Sequence, residues 1–347
     1  MRVPKDVLHW LLEPTNPPVR YLVLTDLLGE PPTAPEVRAT RARLTEYSVT
    51  REILNHPGTL SLDDERPYWK YDGLYWQLIV LGQFLADGRD PRIAEAVRFA
   101  LEHRHWVQRR RWQCLTANML GALIRLGYGD HPLVVEETDA LAHRIVEEEG
   151  IDCSEMGHSL LTRCCMALPK LLLCFAEVPP SKRSKTVTKA IERITCDLTD
   201  VNVFVYLPGR RREWNEILAG RPRSSELPSG QRVKDWVARR REEFLAAHGT
   251  GDPRPKRGWL KFGFPLHYNS DVLEAMVGLS RVGAPADPRF DRALQAIRDK
   301  RTADGRWIME RSMNGKMLVD VEELGAPSKW LTYRALYALK RFGSSNE

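Results

Sequence analysis

Long apolar runs are what this chain most plainly lacks. A bilayer-spanning helix needs roughly 20 consecutive apolar residues. The nearest stretch, Met166 to Val178, is short and broken by Pro169 and Lys170. The N-terminus, MRVPKDVLHWLLEP, has acids and a proline where a secretory leader needs an uninterrupted apolar segment. Both features predict a cytoplasmic protein without a membrane span. Cysteine is scarce too, with six in 347 residues, all between Cys114 and Cys196. That excludes a disulfide scaffold and suits thiols or metal ligands in a reducing compartment. Cys174 and Cys196 read as small buried hydrophobes. No phosphate-cradling glycine loop, G-x-S-x-G elbow or zincin histidine pair is present, which excludes those chemistries. Strand signals are few, and only Val201–Tyr206 alternates convincingly.

What the chain does have is a repeat. An apolar helical stretch, a short turn carrying Gly, Asp or Pro, and a more polar amphipathic stretch recur along it. LIVLGQFLADGRDPRIAEAVRFAL (78–101), NMLGALIRLGYGDHPLVVEETDAL (118–141) and DVLEAMVGLSRVGAPADPRFDRALQAI (271–297) are clear copies; 19–44 and 166–194 are weaker ones. Glycine ends the first helix by its access to positive φ, and proline opens the second where its missing N–H costs nothing. The turns centre near Pro35, Pro91, Pro132, Pro180 and Pro288; the first four lie roughly 40 to 56 residues apart, a helical-hairpin spacing. The first helix of each pair is apolar all round, as an inner helix should be, and the second has one apolar stripe and a charged outer face. Trp330 to Phe342 supplies a last inner helix. The prediction is an all-α fold, a single domain over residues 1–347.

The formal charge of +6 is concentrated in one place. Residues 205–258 hold 13 Lys or Arg against 7 Asp or Glu, an excess equal to that of the whole chain. This basic insertion carries YLPGRRREW (206–214) and DWVARRREEF (235–244). Acids directly follow both arginine triplets, which argues against nucleic acid. A solvated helical face with a flexible loop, or a lid, is the expected role.

The stretch KRTADGRW (300–307), in which a helix ends in DG-x-W, resembles the QW-type repeat ending of squalene cyclases. The run DGRWIMERSMNGKMLVDVEELGAPSKWLTYRALYALK is similar to that of bacterial proteins grouped as squalene-cyclase or prenyltransferase-like. The resemblance implies an α/α toroid, in which all inner helices start at one rim.

On that fold the loops leading into inner helices share a rim, and the short Gly/Asp/Pro turns share the other, which reads as monotonous. The first rim gathers the unusual residues. Trp69, Tyr71, Trp76, Trp259, Tyr268, Asp271 and Trp330 would line the mouth of an apolar cavity for a hydrophobic small molecule. Asp72 and Glu323 are the candidates for moving protons, and an ion pair of Glu323 with Lys329 is the structural alternative. Lys261, Glu310 and Lys316 are further polar candidates. Cys114, Cys153, His158 and one of Cys164 and Cys165 would converge as a tetrahedral set suited to Zn²⁺; an iron–sulfur cluster would use the same sulfurs. The resemblance points the same way, since protein prenyltransferases and lanthionine cyclases hold a catalytic zinc through Cys and His. The acid D-x-D-D motif of class II terpene cyclases is missing; the nearest string, SLDDE (61–65), begins with Ser61. Two functions follow. One is a metal-dependent enzyme acting on an isoprenoid-like or thiol-bearing substrate. The other is a non-catalytic protein with a cavity for a lipid-like ligand and a basic arm for an acidic partner.

Overall fold

The computed structural model describes residues 3–56, 60, 68–107, 113–147, 164–206, 211–248 and 254–343. The regular elements among the described residues are helices, apart from one two-residue antiparallel pairing of Val205–Tyr206 with Arg254–Pro255 and isolated bridges at Gly263–Arg311 and Ile308–Pro327. The segments leading into the helices Val272–Arg281 and Lys329–Phe342 are irregular. The alternating stretch Val201–Tyr206 therefore forms a strand only at its end; Val201–Phe204 is a turn.

Two kinds of helix alternate. The core helices are α2 (Pro17–Leu22), α5 (Leu74–Gln83), α7 (Gln113–Leu123), α9 (Ala167–Glu177), α13 (Val272–Arg281) and α15 (Lys329–Phe342). Every residue of α5 from Leu74 to Gly82, and of α13 from Val272 to Ser280, is buried. The covering helices α3 (Pro35–Ala42), α6 (Pro91–His103), α8 (Pro132–Glu147), α10 (Lys185–Asp200) and α14 (Asp291–Arg298) bury a single face. In α6 that face is Ile93, Ala96, Val97, Ala100 and Leu101, the helical period of an amphipathic surface. Remaining segments are α1 (Lys5–Leu11), α4 (Ser48–Asn55), α11 (Arg211–Ala219) and α12 (Val233–His248).

The core helices pack in the order α5, α7, α9, α13, α15, α2, and each covering helix lies on the core helix it follows. Several of these helices start at a side-chain cap, whereas α5 and α9 have none. Asn16 accepts the N–H of Val19, Ser184 that of Val187, Asp271 that of Glu274 and Ser328 that of Leu331. Each satisfies one backbone donor that the first helical turn leaves over. The segment 211–248 has its own small apolar cluster, Trp214, Leu218, Val237 and Phe244, between α11 and α12. No helix among the described residues is long and apolar enough to cross a membrane.

The joints between repeats share one device. After α6, the buried Trp106 donates its indole N–H to the carbonyl of Ala100 at 2.7 Å, and its own carbonyl accepts Thr116 Oγ1 of α7 at 3.0 Å. After α14, the DG-x-W tryptophan, Trp307, donates to the carbonyl of Ile297 at 2.8 Å, and its N–H is taken by Thr332 Oγ1 of α15 at 3.0 Å. A large apolar ring thus fills the joint while its polar edge adds a second donor to a carbonyl near the end of a covering helix.

Core helices approach closely where glycine allows it. A Cβ built on Gly82 of α5 would lie 2.7 Å from the Cα of Ala122 in α7, whereas one on Gly121 would meet nothing nearer than 3.5 Å, at Cys174 of α9. Gly82→Ala should therefore lower stability by about 1–3 kcal/mol through overpacking. Gly121→Ala should be neutral or stabilise by up to about 1 kcal/mol from helix propensity. Urea-denaturation midpoints of the two variants test this opposition.

Candidate ligand site

Most charged groups within so apolar a core lie near helix ends, and they form two clusters. The first lies at the N-terminal ends, where the loop 258–271 enters α13. His267 is fully buried, stacked on Tyr71 at 5.3 Å and edge-on to Trp76 at 5.0 Å. Tyr268 meets Trp76 edge-on at 4.7 Å, and its hydroxyl lies 2.9 Å from that of Tyr68. Below this aromatic group, Lys170 of α9 and Glu274 of α13 form a buried ion pair at 2.5 Å. Desolvation pushes the Lys170 amine down, against the pull of Glu274. Asp271 caps α13 through Glu274 and also accepts the N–H of Gly263 at 3.0 Å. Burial, followed by the Glu274 charge, raises its pKa from 3.8 to about 7. Burial, with Lys170 nearby, lowers that of His267 from 6.5 to about 3. Neither ring nitrogen of His267 has a hydrogen-bond partner among the described residues.

The predicted rim residues divide accordingly. Tyr71, Trp76 and Tyr268 come together around His267. Asp271 lies beside them as a helix cap. Trp259 is buried and has Lys256 Nζ 5.3 Å from its ring centroid. Trp69 is 56% exposed, and Asp72 is exposed as well. Glu323 is exposed; its neighbour Glu322 turns inward to accept Ser328 Oγ and the N–H of Lys329. The expected Glu323–Lys329 pair is replaced by Lys329 with Glu13 at 2.7 Å. Lys261 and Lys316 are exposed, and Glu310 pairs with Lys300 at 2.6 Å.

Of the predicted metal ligands, Cys153 and His158 lie outside the described residues, as does the acidic string 61–65. Cys114 and Cys164 are buried. The sulfur of Cys165 is 2.8 Å from the ammonium of Lys256, a cation that opposes a second cation at the same atom. Among the described residues no three His, Cys, Asp or Glu side chains gather as a metal-binding group.

The second cluster lies at the opposite, C-terminal ends, beside the short turns whose sequence reads as monotonous. Arg125 pairs with Glu177 at 2.6 Å, and Arg281 with Asp26 at 3.0 Å. Tyr333 of α15 joins the latter pair, accepting from Arg281 at 2.9 Å and donating to Asp26. Burial alone would raise Glu177, but Arg125 and Arg281 outweigh it and hold the carboxyl below the usual range. All of these groups but Asp26 border a cavity of about 50 Å³ to which α2, α5, α9, α13 and α15 all contribute, together with Arg125 just beyond the end of α7. Arg334 of α15 reaches the same cavity with its guanidinium 4.6 Å over the ring of Phe264, which stacks on Trp330 at 4.2 Å. Trp330, in the first turn of α15, thus lines this cavity. Arg334 makes no hydrogen bond or ion pair with the described residues. Desolvation lowers its pKa, partly offset by Glu274 and Asp271 at longer range. The sequence does carry a signal for this cluster. Charged residues recur just before the turn in LTDLLG, LIRLG, CFAEVP and LSRVG.

Comparison of the chain with protein-family models, curated proteins and solved structures finds no match.

The buried imidazole has a consequence for acid stability. His267 stays neutral in the folded chain down to about pH 3, whereas an unfolded histidine takes its proton near 6.5. The unfolded state therefore binds more protons in that window, and stability falls as pH falls, by roughly 1.4 kcal/mol per unit. Asp271 has the opposite sign: its folded pKa, about 7 against 3.8, gives the folded state the extra proton, so its contribution falls as pH rises between them. His267→Phe isolates the first effect. Between pH 7 and pH 5 the variant should lose about 2 kcal/mol less stability than the parent chain in urea titrations.

Proposed function

We propose that this protein is an α/α toroid that binds a small oxyanion, a carboxylate or a phosphate, in the cavity bordered by Arg125, Arg281 and Arg334. The packing order of the six core helices and their common share in one cavity support the ring arrangement. The observation that carries the ligand reading is Arg334. Its half-buried guanidinium makes no ion pair with the described residues, and a bound oxyanion would give it charge-assisted, two-pronged hydrogen bonds. Arg125 and Arg281 already hold acids, so they set the field around the cavity while Arg334 supplies the open valence. Leu22, Leu173, Val277 and Phe264 give the ligand apolar flanks. The volume of about 50 Å³ suits a headgroup and is too small to enclose an isoprenoid chain.

The test is thermal unfolding in orthophosphate, acetate and succinate at constant ionic strength. A binding anion at a hundred times its Kd should stabilise the folded chain by about 2.7 kcal/mol. Arg334→Met should abolish that response without lowering the melting temperature of the ligand-free chain, since Arg334 makes no ion pair with the described residues and Met keeps apolar contact with Phe264. An equal response in parent and variant, or none in the parent, overturns the proposal. Stoichiometric zinc in the same preparation, lost in Cys153→Ser, would instead favour a metal-dependent enzyme.

A further inference from the structure

The start of α9 and the segment leaving the basic insertion meet at an unusual pair. Lys256 directly follows the strand Arg254–Pro255, and its N–H donates to the carbonyl of Phe204 at 2.9 Å. Its half-buried side chain ends 2.8 Å from Cys165 Sγ and 3.4 Å from Met166 Sδ, with the Trp259 ring centroid at 5.3 Å. No carboxylate among the described residues pairs with this ammonium; its polar partners are two sulfurs. The separation of 2.8 Å is that of an N–H···O bond although sulfur is the larger atom. Nitrogen and sulfur are therefore held at a spacing that a single bridging atom spans. Cys165 is half-buried, so a small oxidant can reach it where a protein thiol cannot.

We propose that Cys165 and Lys256 form an oxidation-dependent covalent cross-link, Sγ–O–Nζ, with dioxygen or a peroxide as the oxidant. With dioxygen, the thiol takes up O₂ to give a sulfur-bound hydroperoxide, S–O–O–H. The lone pair of the neutral Lys256 amine then attacks the sulfur-bound oxygen as the O–O bond breaks. The departing hydroxide takes a proton from nitrogen and leaves as water. One thiol, one amine and one O₂ give the bridge and one water; sulfur and nitrogen each lose two electrons and dioxygen gains four. An amine that begins as ammonium releases its extra proton to solvent. With hydrogen peroxide, two equivalents replace O₂ and three waters leave. The product ties the entry of α9 to the base of the insertion, and a dithiol cleaves it by attack on sulfur: the dithiol becomes a disulfide, the Cys165 thiol is freed and the oxygen leaves on Nζ as a hydroxylamine.

Peptide mass mapping of the full chain, exposed to air or hydrogen peroxide and compared with a dithiothreitol-reduced sample, tests the cross-link. The expected product joins the peptides containing Cys165 and Lys256, with one oxygen gained and two hydrogens lost, and disappears on reduction. Lys256→Gln and Cys165→Ser should each abolish it while retaining the far-ultraviolet dichroism of the parent. Oxidation of Cys165 to sulfenic or sulfinic acid without joining, or an unmodified Cys165, overturns the proposal. So does a joined product that survives in Lys256→Gln. The parent chain's map decides alone if the variants do not fold.

Discussion

A helix buried around its whole circumference can carry polar groups only near its ends, and that constraint organises this structure. Along α5, α7 and α13 nearly every side chain is in contact with protein. Charge is accordingly expelled to two levels, Lys170 with Glu274 at the starts, and Arg125, Glu177, Arg281 and Asp26 at the finishes. The helix dipole favours cations at a C-terminus and acids at an N-terminus. Arg125, Arg281 and the capping Asp271 follow that preference. Lys170 in the first turn of α9 and Glu177 in its last oppose it, and each is held by a direct partner on the next helix. Those reversed charges tie one helix to its neighbour at a defined height.

The same constraint explains how much was legible in the sequence. Unbroken apolar stretches followed by Gly, Asp or Pro and then by a striped helix announce inner and covering layers, because burial on all sides and burial on one side leave different periodicities. Proline at the starts of α3, α6 and α8 placed the turns correctly. The aromatic residues around His267 were also visible as a group, since they sit close together in two short segments. His267 itself was missed. A histidine between Leu266 and Tyr268 looks like any loop residue until the loop is seen to dive into the core.

The polar cavity was read poorly, for a different reason. Its residues are single charges at helix ends, and each alone resembles an ordinary dipole-complementing terminus. Their meaning depends on partners 52, 255 and 307 positions away in the chain. Nothing in local spacing reveals that Asp26, Arg281 and Tyr333 share hydrogen bonds. Glu322 and Glu323 show the smaller limit of such reading, in which adjacent acids in a turn face opposite ways. Arg334 is the most instructive case. It occupies a helix among apolar neighbours, where a sequence pattern suggests a long side chain reaching for water, yet it ends over Phe264 inside the protein.

The tryptophan joints bear on how the chain behaves as a whole. In a stack of helical hairpins each unit leans on its neighbours, and stability divides into terms within units and terms between them. Trp106 and Thr116, and likewise Trp307 and Thr332, sit on the boundary itself, with one hydrogen bond reaching back into the finished hairpin and one forward into the next. The backward bond needs only the finished hairpin, whereas the forward one forms only when both sides are folded. Such joints weight the balance toward the terms between units, so a partly folded array ending at a tryptophan exposes both its largest ring and its unsatisfied carbonyl. The chain is thereby biased against fraying hairpin by hairpin and toward melting as one cooperative body.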